Sequence, residues 1–502
     1  MKPITFSWNR TVIWLLLLIA FLPLFFINLT GYHGWGDDFA QYIHQAKNVT
    51  VGISPSETGH ILNEEGIIGP AAYPMGFPLL LAPLYALFGN NMLAFQYYMT
   101  FLLCLLGLGV YYFLSRSFSV FFTLAGVLWL IYHPWVLHFK AEVLSEIPYT
   151  WFLVVATAFW MYGKGQYKTV GTGLLAGFAI LIRPMGIVLV GAVMLETAII
   201  GTRVLLQKPG KNLWETTFSN AGITTVIALC LYFIVEKMIF PSPSEGSYVD
   251  LILAHSPVDY CMTNLKQYGI SLGEFVFPAG KNVFSIVLAS MAGLLFLGGL
   301  ILKLRTFPLP FLIVLVHIAM LGIYPYFQGA RFLFPVLPMF LFYILAGIEW
   351  FAGKTGIKKY MGPVVFTVLL LFDIPDVVSV YQKTFRPIIS GPQQEVATEV
   401  FSFIGKELPG DVRILFHKPR ALALYAGKTS MFPGYMPPEI MWDFFMQKNM
   451  SHFLINDWME TQAERDFFEE NGCHLTLIFR NDRYRLYSID YAPKEVFSPP
   501  AE

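Results

Sequence analysis

Apolar runs long enough to cross a hydrocarbon core of about 30 Å recur from Thr11 to about Tyr381. About the last 120 residues instead mix apolar and polar positions as a water-soluble chain does. After a first run from Thr11 to Leu29, the others lie at about 92–115, 118–137, 147–163, 167–182, 185–202, 218–240, 283–302, 307–327, 332–350 and 361–379. The 167–202 region divides at Arg183-Pro184, because proline ends a helix and an arginine is costly at mid-membrane but comfortable at its surface. The run FPLLLAPLYALFG, Phe77 to Gly89, is short for a span and contains Pro78 and Pro83, which predicts an interfacial or re-entrant segment.

These patterns predict an α-helical polytopic membrane protein of about eleven transmembrane helices, followed by a small C-terminal α/β domain. The membrane domain is expected over residues 1–380, with a first outer loop at 30–91 that includes the juxtamembrane helix, and the soluble domain over 381–502. In the tail, EVATEVFSFIGKELPG, PPEIMWDFFMQKN and 458–471 predict helices. DVRILFHK, HFLIND, 473–479 and 483–489 predict strands.

Composition agrees with lipid as the main solvent. Of 502 residues 56% are hydrophobic and 13% charged, against roughly 25% charged for a soluble domain. Mean hydropathy is +0.57. Basic and acidic residues balance at 33 each, so no nucleic-acid partner or polybasic anchor is indicated. Cys104 and Cys230 fall inside apolar runs, while Cys261 and Cys473 sit in separate polar segments, so neither a disulfide framework nor a metal-ligand spacing is visible.

Charge placement sets the orientation. With the N-terminus inside, the connectors carrying Arg116, Lys164 and Lys168, Arg203, Lys303 and Arg305, and Lys354 all fall on the cytoplasmic side, provided the 77–89 segment does not cross. Lys2 and Arg10 ahead of the first run resemble a signal-peptide start, but no small-residue cleavage site follows, so a retained span is expected. A multi-pass chain with its C-terminal domain outside follows from this charge placement, and the plasma (bacterial inner) membrane is its expected location.

Chemistry is expected on that outer face. Asp37 and Asp38 are adjacent in GWGDDFAQYIHQAKN, and the four-residue spacing of Asp38 and Tyr42 sets carboxylate and phenol on one helix face. A carboxylate there can take a proton from an attacking hydroxyl. The plainer reading is an acidic helix N-terminus. Glu142 and Glu146 repeat the spacing in AEVLSEIPY, with capping ahead of Pro148 as the plainer reading. Lys140, Arg183 and Arg331 lie on the same side and suit an anionic phosphate, although each singly reads as a snorkelling cation. Glu196 and His317 are polar groups at membrane depth without an evident partner, and the 241–282 loop is a candidate lid.

The segments WGDDFAQYIHQAKN, AYPMGFPLLLAPLYALFG, VLSEIPYTWF, LIRPMGI and ARFLFPVLP together resemble the polytopic glycosyltransferases of the GT-C superfamily. The group they are most similar to comprises protein O-mannosyltransferases and bacterial aminoarabinose transferases. The resemblance implies inverting transfer of a sugar from a polyprenyl-phosphate donor to a glycan, lipid or protein acceptor. It makes Asp38 the first choice for general base and Asp37 the second, since the family acid is followed four residues later by tyrosine. The family's second acid is absent here after Asp38, where Phe39 stands, or is supplied by Asp37. Glu146 is similar to an acid of the family's second outer loop, and Arg331 to its arginine before a proline-rich span. Arg331, Arg183 and Lys140 would hold the departing phosphate, with Tyr42, Glu146 and Glu142 in support. No nucleotide pocket and no cofactor are expected; a divalent cation is possible but not indicated. A multi-span transporter and a non-catalytic scaffold of GT-C-like fold are the competing readings.

Overall fold

The computed structural model describes residues 9–63, 69–207, 211–241, 257–276, 283–325, 327–354, 377–382, 385 and 389–491. Among these, four apolar helical stretches are long enough to cross a membrane: Met92–Ser115, Pro184–Thr202, Phe218–Ile239 and Ala330–Gly353. Six shorter ones accompany them: Arg10–Phe26, Gly76–Phe88, Val120–Tyr132, Tyr167–Ile182, Ala289–Lys303 and Leu309–Ile323. The chain is thus a polytopic helical membrane protein. The span expected at 361–379 lies almost wholly outside the described residues.

Prolines punctuate these helices where their missing N–H and fixed φ demand it. The run expected at 118–137 breaks at His133-Pro134 into Val120–Tyr132 and Pro134–Phe139. Arg183, ahead of Pro184, is extended (φ −146°, ψ 135°) and separates the Thr172–Ile182 helix from the next. The juxtamembrane helix Gly76–Phe88 has 13 residues, which makes it about 20 Å long, too short to span. It packs against the Asp38–Val51 helix of the first outer loop and the Thr172–Ile182 helix. Glu236, on the π-helical turns Ile234–Ile239, accepts the Met75 N–H at 2.5 Å at the start of this juxtamembrane helix.

In the candidate lid, residues 257–276 form a helix laid on the chain ahead of Arg331. Asn264 Nδ2 donates to the Tyr324 carbonyl at 2.7 Å, and the Gln328 N–H donates to the Tyr268 hydroxyl at 3.2 Å. Tyr268, Leu321 and Leu333 bury together beneath it.

The C-terminal layer is a six-stranded sheet in the order β1-β3-β2-β4-β6-β5. Its strands are β1 (His60–Ile61), β2 (Arg413–Leu415), β3 (Thr429–Met431), β4 (His452–Asn456), β5 (Leu475–Arg480) and β6 (Tyr484–Ile489). The first four in that order are parallel, and β6 is antiparallel to both β4 and β5. Period-two alternation sorts the side chains: Ile414 and Leu454 face helices Glu395–Glu407 and Pro419–Ala426, while Leu415, Phe453 and Ile455 face Pro438–Gln447 and Gln462–Asn471. The predicted tail elements are present, joined by a helix at Pro419–Ala426 and strand β3 that the pattern did not announce. Strand β1 comes from the first outer loop, with His60 opposite Ser430 and Ile61 opposite Met431, so the sheet crosses the boundary expected near residue 380.

Gly76 marks a close approach behind the site: a Cβ there would lie 2.6 Å from the Leu181 carbonyl carbon, two residues before Arg183. Gly76→Ala is expected to force the two helices apart at a cost of about 1 to 3 kcal/mol. The thermal midpoint in detergent should fall accordingly, and an unchanged midpoint contradicts the packing.

Candidate active site

The Asp38–Val51 helix carries the site and is fixed before it does any chemistry. Gly52 closes it in the left-handed conformation (φ 71°). Gln45 exchanges hydrogen bonds with the Tyr73 backbone, giving at 2.8 Å and receiving at 3.0 Å. Gln41 Nε2 donates to the Ala71 carbonyl at 2.8 Å. The Tyr42 ring stacks on Tyr73 with centroids 4.8 Å apart. The helix and the 71–75 segment therefore move as one piece.

The two aspartates have different partners. Asp38, in the first turn, pairs through Oδ2 with Arg331 Nη2 at 2.8 Å and accepts the Tyr73 hydroxyl on Oδ1 at 2.6 Å. Arg420 Nη1 stands 3.6 Å from that same Oδ1. The Asp37 side chain makes no capping bond to its own helix. It caps the Pro419–Ala426 helix of the C-terminal layer, accepting the Ala421 N–H at 3.1 Å and the Arg420 N–H at 3.4 Å.

Beyond Arg331 the chain of charges continues inward. Arg331 Nε lies 3.6 Å from Glu146 Oε1, which pairs with Arg183 Nη1 at 2.7 Å. Arg183 also donates to Ser145 Oγ at 3.1 Å, and that hydroxyl meets the Tyr42 hydroxyl at 3.0 Å. The Phe332 ring lies against both guanidiniums, 4.8 Å from Arg183 and 5.3 Å from Arg331. Glu146 and Arg420 are buried; Arg331 and Asp38 keep 28% and 25% of their side chains exposed. The circuit therefore opens at the Asp38–Arg331 pair.

Burial pushes the Asp38 carboxyl up, but the Arg331 and Arg420 guanidiniums and the Tyr73 hydroxyl outweigh it and hold it well below the usual carboxylate range. For Asp37 burial prevails over Arg420, Lys418 and the Ala421 N–H, and its pKa rises to about 6.

The structure brings Asp38, Tyr42, Glu146, Arg183 and Arg331 into this one circuit, with Asp37 beside it. It does not bring Lys140 and Glu142 there. Lys140 is buried, donates to the Ile27 carbonyl, and is pushed by burial to a pKa of about 7. Glu142 pairs with His33 at 2.9 Å, whose ring stacks on Phe39. The membrane-depth groups have partners: Trp160 Nε1 donates to Glu196 at 2.5 Å, and His317 Nε2 meets the Phe332 carbonyl at 2.7 Å. Sequence reasoning missed Tyr73, Ser145 and Arg420. Tyr73 sat in a motif already singled out, whereas the segment around Arg420 gave no signal. Among the described residues no group of three or more His, Cys, Asp or Glu side chains is arranged to hold a metal.

No protein-family model matches the chain, and no curated protein matches it in sequence. Solved structures do. ArnT from Cupriavidus metallidurans bound to undecaprenyl phosphate is 13% identical, with a TM-score of 0.61 over 96% of this chain and 98% of that one. The apo form of the same protein gives 0.59 over the same shares. The archaeal oligosaccharyltransferase AglB from Archaeoglobus fulgidus, in complex with an inhibitory peptide and a dolichol-phosphate, is 11% identical with a TM-score of 0.61, over 90% of this chain and 70% of that one. At such identity the likeness is one of fold alone: this chain shares the architecture of ArnT and of the archaeal oligosaccharyltransferase.

The position of Asp37 has a measurable consequence. Folded Asp37 keeps its proton up to about pH 6, against 3.8 for an unperturbed aspartate. Between those values the folded state binds more protons than the unfolded, so the Asp37 contribution to stability falls as pH rises from about 4 to about 6 and is level above. Asp37→Asn should remove that slope, and Asp37→Ala should in addition cost about 1 to 2 kcal/mol as a lost cap. Thermal unfolding of wild type and both variants across the window reads both effects; a wild-type-minus-Asn difference that is flat in pH contradicts the assignment.

Proposed function

We propose that this chain is a membrane glycosyltransferase that moves a sugar from a polyprenyl-phosphate donor to a glycan, lipid or protein acceptor at the outer face, with inversion. The observation that carries this reading is the Asp38–Arg331 pair, the solvent-reaching end of an otherwise buried run of acids and arginines. The fold adds support, because the structures it resembles were solved with undecaprenyl phosphate and with a dolichol-phosphate.

In this reading the acceptor hydroxyl or amine attacks the anomeric carbon from the face opposite the phosphate. Its proton passes to the Asp38 carboxylate, the new bond to carbon forms, and the carbon–oxygen bond to phosphate breaks with its electron pair staying on the phosphate. Arg331 and Arg183 neutralise that leaving group, with the planar guanidiniums suited to two phosphate oxygens. The same pairing explains how a carboxylate so acidic at rest serves as a base. A donor phosphate competes for Arg331, and an Asp38 that shares or loses this cation becomes more basic. Asp37 is the weaker candidate because backbone N–H groups occupy its oxygens. No divalent cation is required in this scheme, since Asp38 and Glu146 are already matched to guanidiniums. The N-terminus is placed in the cytoplasm and the C-terminal layer outside, on the charge distribution of the connectors.

A panel of polyprenyl-phosphate sugars assayed with membranes, in buffer containing EDTA, tests the proposal. Wild type should transfer at least one sugar, and Asp38→Asn should lower kcat by about 100- to 10,000-fold. Unimpaired transfer by Asp38→Asn removes the assigned base, and dependence on an added divalent ion removes the metal-free scheme.

A further inference from the structure

Arg420 heads the fully buried side chains by volume, at 1% exposure. It brings a charge from the α/β layer into the heart of the site. A guanidinium so placed is costly unless its N–H groups are satisfied. Two of its three nitrogens are met by the first outer loop, Nη1 donating to the Tyr73 hydroxyl at 2.7 Å and Nη2 to the Pro70 carbonyl at 2.9 Å, while the buried Nε is left without a hydrogen-bond partner. The plane also covers the Tyr73 ring at 4.7 Å.

Donor–acceptor accounting gives this contact a direction. Arginine only donates, so the Tyr73 oxygen receives from Arg420 and must point its own hydrogen elsewhere. Asp38 Oδ1, at 2.6 Å, takes it. Arg420 therefore fixes the rotor of the Tyr73 hydroxyl, and Tyr73 fixes one oxygen of Asp38. The other oxygen is held by Arg331, which solvent reaches. The two arginines differ in what a substrate can do to them: Arg331 is 28% exposed and open to exchange with a phosphate, while Arg420 is sealed at 0% side-chain exposure.

We infer that Arg420 is a positioning residue for sugar transfer, acting through Tyr73 on Asp38, and that the C-terminal layer is thereby a built-in part of the active site. This rests on the transferase reading above. Docking of the layer does not itself call for a buried charge. Strand β1 already pairs with β3, Asn63 Nδ2 donates to the Phe432 carbonyl at 2.8 Å, the His33 N–H donates to Gln393 at 3.2 Å, and Asp37 caps the Pro419–Ala426 helix. What Arg420 adds is a second, unexchangeable cation on the far oxygen of Asp38, which keeps the carboxylate aimed when a donor phosphate draws Arg331 away.

The charged and titratable groups facing Asp38 set the expected pH response. Arg331 approaches from the 330–336 turns with Glu146 behind it, Arg420 from the C-terminal layer, Tyr73 from the loop, and Asp37, itself beside Lys418, and Tyr42 from its own helix. Of these, removal of Arg420 takes away a cation that holds Asp38 ionised, so the acid limb of the rate profile moves to higher pH.

The experiment compares full-length wild type with Arg420→Gln, Arg420→Lys, Tyr73→Phe and the Arg420→Gln/Tyr73→Phe double variant. Transfer kcat and donor KM are measured from about pH 4 to about pH 8, with a thermal midpoint for each protein. Arg420→Gln should lose about 10- to 100-fold in kcat with donor KM within about threefold, and its acid limb should rise. Arg420→Lys should restore the limb but only part of kcat, and the double variant should fall short of the product of the single losses. Arg420→Gln within about twofold of wild type, or a loss with an unmoved acid limb and multiplicative with Tyr73→Phe, overturns the positioning role. Should Arg420→Gln not fold, the Arg420→Lys and Tyr73→Phe profiles decide by the same criteria. Wild type inactive on every donor overturns the transferase reading itself, which the active-wild-type outcomes leave standing.

Discussion

The ion pair between Asp38 and Arg331, 2.8 Å long and bridging 293 positions of sequence, is the constraint around which the molecule is arranged. Charges in a low-dielectric interior persist only when each is met by another, so one pair at the surface of the bundle commits its neighbours. Arg331 reaches Glu146 behind Asp38, Glu146 engages Arg183, and Arg420 closes the other end through Tyr73. Three guanidiniums, from Arg183, Arg331 and Arg420, face three carboxylates, from Asp37, Asp38 and Glu146. A ligand entering such a balanced circuit must exchange for a member of it. The half-open pair is where exchange costs least.

The backbone serves this arrangement at each step. The extended Arg183 before Pro184 aims its side chain into the site and not along a helix. Gly329, at φ 73°, turns the chain into the 330–336 turns that present Arg331. The juxtamembrane helix, stopped short of a span and capped by Glu236, holds Tyr73 under the carboxylate. Strand β1 then ties the first loop into a sheet whose other strands lie more than 350 residues later, bringing the Pro419–Ala426 helix onto Asp37.

Much of this was legible in the chain, and the limits are physical. Lipid imposes long apolar runs, so helix positions, the break at Arg183-Pro184 and the short 77–89 segment could be read directly, whereas the break at His133-Pro134 was not. The i, i+4 relation of Asp38 and Tyr42 put both on one helix face, and both do join the circuit. Lys140 and Glu142 show where sequence proximity misleads: they sit within six residues of Glu146, yet the turn between them sends Lys140 to Ile27 and Glu142 to His33. Strand β1 is two residues long and leaves no periodicity to detect. Arg420 carried no signal of its own, because what buries it is a loop nearly 350 positions earlier. The fold shared with ArnT and AglB at 13% and 11% identity speaks to architecture, and function has to be argued from the circuit itself.

In the proposed reaction this circuit receives a lipid phosphate by exchange at Arg331. A structure of the full-length protein with a polyprenyl phosphate bound tests it most directly. Phosphate oxygens are expected within about 3 Å of Arg331, with Arg183 as second donor and the Asp38–Arg331 contact lengthened, while Arg420, Tyr73 and Asp38 keep their bonds. A phosphate seated elsewhere, with the Asp38–Arg331 pair undisturbed, contradicts it.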